Sequence, residues 1–284
     1  FDSNLVNTAW KTYLIYFVMY AFSIGIIVPI WTDFLNQSTL KSLRGRFFGL
    51  GFAFNSIGSF AGGVVLKYLL SSNIEFPKNF GIGFIILFFS LMFGTLLFLP
   101  FRIKKIHINK ENQSMREYFY KTFNIIKSHT NFQNYLISRI FYSSCLPGMG
   151  LYAIYCQKKF NFELSEAGIF TVITVVCAAT SSYLAGKIGD KYGPKNGMLL
   201  AYFGHLFAAI IAIYSWNMYG VYMIFIAIGV GQGAFMPSAM NLIYDFSSKN
   251  DAKTYMALVD SILAPFVLFY LLLIGWLVKD GNYI

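Results

Sequence analysis

The sequence predicts an all-α fold, that of a polytopic helical membrane protein, and three observations predict it. Hydrophobic residues fill 57% of the 284 positions and charged residues 12%, whereas an ordinary soluble domain carries about 25% charge. Eight apolar stretches meet the ~20 residues that a helix needs to cross a hydrocarbon core ~30 Å thick. Lys and Arg gather in alternate loops. This composition excludes a soluble enzyme, and it also excludes a disordered chain, which needs low hydrophobicity and high charge.

The stretches run over 12–32, 47–71, 80–101, 134–156, 166–188, 196–216, 219–244 and 256–279. Lipid offers no water to a backbone amide, so each must close its hydrogen bonds within itself as a helix. None alternates with the two-residue period of a barrel strand. If the spans alternate in direction, loops 33–46, 102–133, 187–196 and 245–255 share one side and carry fifteen Lys and Arg, against six (Lys11, Lys67, Lys78, Lys158, Lys159, Lys279) on the other. The positive-inside rule puts the first group in the cytoplasm. The net charge of +10 is thereby explained by membrane topology, with the lipid bilayer and not nucleic acid as the partner.

Taken in order, the first span carries Tyr13, Tyr16 and Tyr20 at helical spacing, a pattern of packing or lipid contact. The second holds Asn55 near its middle, with Gly58 and Gly62 four apart, which suits close helix packing. After the third span, the polar segment 102–133 contains a further helical pattern. Ser114 and Glu117 fit a capping box, and Met115, Phe119, Thr122, Phe123 and Ile126 recur on one face, with Arg116, Lys121 and Lys127 on others. Two readings fit: a cationic helix lying on the inner leaflet, or a soluble tether between two bundles.

The later spans carry the informative polar groups, because an unpaired charge near the bilayer middle costs at least ~2.5–3.5 kcal/mol. Arg139 lies inside the fourth span, about six residues or ~9 Å from its middle. Tyr142 and Ser143 share its face, where an anionic group or a carboxylate partner fits; the alternative is a guanidinium that snorkels to the headgroups. His205 in the sixth span reads as a structural histidine. Gln232 sits near the middle of the seventh span among glycines; like Asn55 it both donates and accepts, which suits a hydroxylated or zwitterionic solute or a bond between helices. Asp260 in the eighth span is either a proton carrier or an acid placed at the start of its helix, where the dipole favours it.

The three cysteines, Cys145, Cys156 and Cys177, lie in apolar runs with no metal-ligand spacing. No cofactor and no metal is expected. No span holds a paired-Asp, Ser-Lys or HExxH constellation, so an enzyme is not expected either. The chain opens on Phe1, and its first apolar run lacks the charged leader and the cleavage site of a secretion signal.

An internal echo ties the two ends together. Shifting the sequence by 208 positions sets Pro29 on Pro237, Phe47 on Tyr255, Gly49 on Ala257 and Leu50 on Leu258, as parallel repeats would. Between the fifth and sixth spans stands Gly186-Lys-Ile-Gly-Asp190-Lys191-Tyr-Gly193-Pro-Lys195. Its glycines allow close approach and a tight turn, and its acid can pair across a seam or face a helix amino terminus. A solvated turn is the plain alternative.

The loop resembles the G-x-x-x-D-[RK]-x-G-[RK]-[RK] signature of the major facilitator superfamily, with Pro194 departing from it. Pro29-Ile-Trp-Thr-Asp33, then Arg44-Gly45-Arg46, resembles the family's junction of helices four and five. Gly229 to Asp245, with Gly231, Gln232, Gly233, Pro237 and Asn241, is similar to helix ten. The resemblance numbers the eight spans as helices four to eleven of a twelve-helix fold, so helices one to three and twelve are expected to be missing, as in a fragment. Gly49, Gly58 and Gly62 keep the spacing of the family's antiporter motif, but Gly63 stands where proline belongs.

The resemblance implies two bundles, 1–101 and 134–284, joined by the 102–133 linker. It further implies a secondary active transporter that moves a small organic solute by alternating access, with protons as a possible coupling ion and a monomeric state. The second reading is a non-transporting membrane sensor or scaffold on the same fold. A substrate or proton pathway would then draw on Arg139, Tyr142, Ser143, Gln232, Asn55 and Asp260. A cytoplasmic gate would draw on Gly186, Asp190, Lys191, Gly193, Lys195, Asp33, Arg44, Gly45, Arg46 and Asp245, as ion pairs broken when the pathway opens inward.

Overall fold

In the computed structural model, residues 3–74, 78–100, 115–160, 166–247 and 252–279 are described. They form ten α-helices: α1 (Ser3–Ser38), α2 (Arg44–Ser71), α3 (Lys78–Leu96), α4 (Met115–Ser128), α5 (Thr130–Tyr142), α6 (Cys145–Phe160), α7 (Glu166–Tyr192), α8 (Pro194–Tyr214), α9 (Met218–Phe246) and α10 (Ala252–Val278). One turn of tighter helix, Lys41–Leu43, leads into α2. No strand occurs among the described residues, as expected for backbone that must satisfy itself in lipid. The protein is an integral, multi-pass membrane protein: α1, α2, α3, α7, α8, α9 and α10 are long and apolar enough to cross a bilayer.

One of the eight expected stretches is interrupted in the structure. The stretch 134–156, expected as one continuous span, is broken, because α5 stops at Tyr142 and α6 starts at Cys145. Pro147 explains why: its ring has no N–H to offer the Ser143 carbonyl four residues back, and it clashes with that carbonyl. Proline alone does not suffice, since Pro29, Pro237 and Pro265 sit inside unbroken helices. Around Pro147 stand Gly148 and Gly150, poor helix formers, and Ser143, whose Oγ turns back to donate to the Ile140 carbonyl at 2.6 Å. The resulting pieces of 13 and 16 residues each fall short of a full crossing.

The tight turn expected at Gly193 is present, with helix running up to it on both sides. α7 runs to Tyr192 and α8 begins at Pro194, leaving only Gly193 between them. Gly193 takes φ 90° and ψ 148°, a conformation open in practice only to glycine, and its N–H donates to the Gly189 carbonyl at 3.0 Å. Pro194 then occupies the first position of α8, where a missing N–H costs nothing. Likewise α5 begins at Thr130, inside the segment expected as linker. Ser114, of the expected capping box, lies outside the described residues, as do the side chains of Met115, Phe119, Lys121 and Thr122.

The chain divides into two compact units, each drawing segments from both sides of the expected linker. The first unit comprises 1–39, 113–143 and 243–272. Its centre is aromatic: the Phe132 ring, fully buried, packs 4.9 Å from Tyr255 and 5.7 Å from Phe246, with Tyr135 5.5 Å from Phe246. These edge-on and tilted contacts add to burial because ring edges are positive and faces negative.

The second unit comprises 40–112, 144–242 and 273–284. Cys156, Phe170, Ala208, Ala212, Val221, Ile224 and Ile228 form one buried cluster within it, and Phe170 stacks flat on Phe225 at 4.7 Å. Close backbone approaches set its helix packing. A side chain at Gly204 would strike the Gly231 backbone, and one at Gly233 would strike Ala178, so α8 and α7 each meet α9 at van der Waals range.

Candidate functional site

The most tightly built polar feature lies in the second unit, where α7 meets the start of α2. A helix begins with backbone N–H groups that have no partner inside it, and the residue before α2, Leu43, supplies no side-chain cap. Asp190 supplies it from 145 residues away. Its Oδ1 accepts from the Gly45 N–H at 2.7 Å, and its Oδ2 from the Arg46 N–H at 3.0 Å. The carboxylate side chain is 5% exposed, and the Arg46 Nε lies 3.5 Å from Oδ2. Two short bonds to a charged acceptor, at the positive end of a helix dipole, make this a strong contact.

Its geometry rests on a stripe of small residues. Ser182, Gly186 and Asp190 recur every fourth position of α7, and Gly45 and Gly49 do so on α2. A Cβ at Gly186 would collide with the Gly45 backbone, and one at Gly49 would come within 2.7 Å of the Ser182 carbonyl. The Ser182 Oγ donates to the Gly49 carbonyl at 3.0 Å in a buried bond. By contrast, Gly58 and Gly62, which the sequence marks as packing glycines, have nothing within 4 Å of where a Cβ would stand. The close approach is made nearer the start of α2, at Gly45 and Gly49.

Among the other expected gate residues, Lys191 and Lys195 are exposed; the Lys191 ammonium lies 4.9 Å over the Tyr192 ring. Arg44 is buried at 7% exposure. Asp33 and Asp245 belong to the first unit, where the Gln37 Nε2 donates to Asp33 Oδ2 at 3.1 Å. Asp33 Oδ1 is buried with no hydrogen-bond partner among the described residues. Asp245 is exposed. Beside these acids is a bond the sequence reading missed: the Tyr244 hydroxyl donates to the Thr32 carbonyl at 2.9 Å, buried, across 212 residues. The repeat had aligned these two regions, but nothing in the pattern marks a hydroxyl aimed at a carbonyl.

The pathway candidates fall into separate places. In the first unit, Arg139 on α5 and Asp260 on α10 are close enough to interact electrostatically, and the guanidinium carbon sits 6.0 Å over the Tyr135 ring. Tyr142 and Ser143 are buried, at 7% and 4% exposure, and the Ser143 hydroxyl serves its own helix. In the second unit, Gln232 is exposed on α9 and its Nε2 donates to the Met149 sulfur of α6 at 3.0 Å. Thioether sulfur is a weak acceptor, so most of the Gln232 amide's bonding capacity is open to a polar guest. Asn55 is exposed on α2. His205 is buried, with Nδ1 3.0 Å from the Ala201 carbonyl.

Sequence reasoning also passed over Lys159. Its ammonium donates to the Tyr155 hydroxyl at 2.8 Å and reaches the Ala212 carbonyl at 3.4 Å, while the same hydroxyl donates to that carbonyl at 2.9 Å. The cation also lies over the Tyr155 and Phe160 rings at 5.2 and 5.6 Å. The i, i+4 spacing of Tyr155 and Lys159 is a visible signal, but the carbonyl they share comes from α8. Among the described residues no cluster of His, Cys, Asp or Glu could hold a metal ion.

Comparison with known families matches residues 3–264 to the model described as Major Facilitator Superfamily. Comparison with curated proteins and with solved structures finds no match.

Proposed function

This chain belongs to the Major Facilitator Superfamily, whose members are membrane transporters and not enzymes, and we propose that it carries a small organic solute by alternating access. The observation that carries the reading is the Asp190 carboxylate capping the start of α2. This contact joins helices far apart in sequence, uses no covalent chemistry and can be made and broken. In this reading it is a latch on the side of the basic loops, closed in one state and released in the other. A contact worth ~1.4 kcal/mol shifts the ratio of two such states tenfold.

Arg139 and Asp260 are the proposed coupling pair. A carboxylate within electrostatic reach of a guanidinium can exchange that partner for a proton, and charged groups in membrane-embedded segments are retained for this kind of work. Gln232, together with Asn55, supplies neutral hydrogen-bonding positions for the solute, and Tyr142 and Ser143 border the Arg139 face. A solute that binds only the folded protein raises its melting temperature, so a stabilisation screen identifies the cargo. Uptake of that cargo into proteoliposomes is then measured for Asp190→Asn. A several-fold change in flux at equal protein incorporation is expected; unchanged flux removes the latch. If no solute stabilises the protein or enters the vesicles, the sensor or scaffold reading takes over.

A further inference from the structure

Helix α4 carries a face that the transport reading does not use. Arg116, Tyr120, Phe123 and Lys127 follow one another at intervals of four, three and four residues, which places them in one line along a helix. All four are exposed, Tyr120 at 60% and Phe123 at 66%, and the Arg116 guanidinium carbon lies 5.7 Å over the Tyr120 ring. The opposite side is turned inward: Ile125, half a turn from this line, is half-buried, and so is Ile126 a quarter turn from it. The helix is also held by its end, because the Gln133 Nε2 of α5 donates to the Ile126 carbonyl at 2.7 Å. The line of cation, ring, ring, cation is therefore presented by a fixed helix.

We propose that this face seats α4 in the headgroup layer of an anionic phospholipid leaflet, on the side of the basic loops. The chemistry fits that occupant better than a protein groove. Rings of Tyr and Phe bury their apolar bodies at the depth where headgroups meet acyl chains, and the flanking Arg and Lys reach lipid phosphates. The charge of the sequence is complementary: segment 102–127 holds seven Lys and Arg against Glu111 and Glu117, and each cation near an anionic surface adds to the attraction. The sequence had assigned Phe123 to the apolar stripe and Arg116 and Lys127 to other faces. The structure puts them on one.

The test uses the full chain in nanodiscs of phosphatidylcholine alone or of equal parts phosphatidylcholine and phosphatidylglycerol. With Cys145, Cys156 and Cys177 replaced by alanine, an environment-sensitive fluorophore is attached at Tyr120→Cys or at Asn124→Cys, which is also exposed but off the line. In the anionic discs the label at 120 is expected to shift to the blue and to be quenched by aqueous iodide several-fold less than in phosphatidylcholine. The label at 124 stays open to iodide in both, and R116Q/K127Q returns position 120 to its phosphatidylcholine behaviour. Equal quenching at 120 in both lipids, or protection that arises only when cytosolic protein is added, overturns the proposal. Should the cysteine-free chain fail to fold, thermal unfolding of the native-cysteine chain in detergent decides. Added phosphatidylglycerol is expected to raise the melting temperature of the parent chain and to raise that of R116Q/K127Q by much less; an equal rise in both overturns it.

Discussion

At the scale of single residues, Asp190 and its glycine neighbours show how position decides value. Its carboxylate is 5% exposed and holds two backbone N–H groups, whereas the Arg46 side chain is 55% exposed. Losing a buried charged cap costs ~1–2 kcal/mol, and an exposed ion pair contributes under ~1 kcal/mol because solvent screens it. Thermal unfolding of Asp190→Asn is therefore expected to start several degrees below the parent chain, with Arg46→Gln nearly unchanged. If both shift equally, the ion pair and not the cap holds the contact. The glycines separate in the same way. Gly186→Ala drives a methyl into the Gly45 backbone and is expected to destabilise by more than ~2 kcal/mol, in the range of overpacked cores. Gly58→Ala and Gly62→Ala meet open space and are expected to be neutral or to stabilise by up to ~1 kcal/mol, the helix preference for Ala over Gly. The same unfolding measurement ranks all three.

At the scale of elements, the broken stretch between α5 and α6 illustrates how composition hides conformation. Hydropathy over 134–156 reads as one span, since the sum of apolar side chains does not register a missing N–H. Pro147→Ala restores the donor, and the amides of Ser144, Cys145 and Leu146 are expected to gain at least tenfold protection from hydrogen exchange as the helix closes over them, while the Ser143 amide, already bonded to the Arg139 carbonyl at 2.9 Å, changes little. Unchanged exchange would assign the break to the glycines and serines instead. Lys159 makes a different point. Its ammonium and the Tyr155 hydroxyl occupy the Ala212 carbonyl near the end of α8, so Lys159→Met keeps the apolar stem and loses the bond. A cost of ~1 kcal/mol is expected for one hydrogen bond to a charged donor with partial exposure, read as a fall in melting temperature. No fall would mean that the Tyr155 hydroxyl alone satisfies that carbonyl.

At the scale of the whole molecule, transport needs two states of similar free energy, and the proposed coupling pair sets how protons enter that balance. With Asp260 as the proton carrier, uptake in proteoliposomes is expected to depend on the pH gradient in the parent chain and to lose that dependence in Asp260→Asn, the residual flux running only down the solute gradient. A pH-gradient response retained in Asp260→Asn would move the coupling elsewhere.

Much of this architecture was legible beforehand, for a physical reason: lipid imposes length and polarity on every segment it surrounds, so spanning helices are written as runs of apolar residues. The Gly186 to Lys195 signature was equally readable, because tight turns and close approaches demand particular residue types. What the chain pattern left open is which partner each polar group takes. Asp190 had two arrangements open to it, and the tertiary contact set it against the amino terminus of α2. Gly58 and Gly45 look alike in sequence, yet only one has a neighbour. The sequence by itself determined an all-helical membrane protein of this family, since burial in lipid acts on each segment independently. Only the tertiary structure decided where Asp190 caps, where the fourth stretch breaks and which line of α4 faces outward, because those depend on a partner 145 residues away, on packing around a helix, or on a single absent N–H that no average over a window can detect.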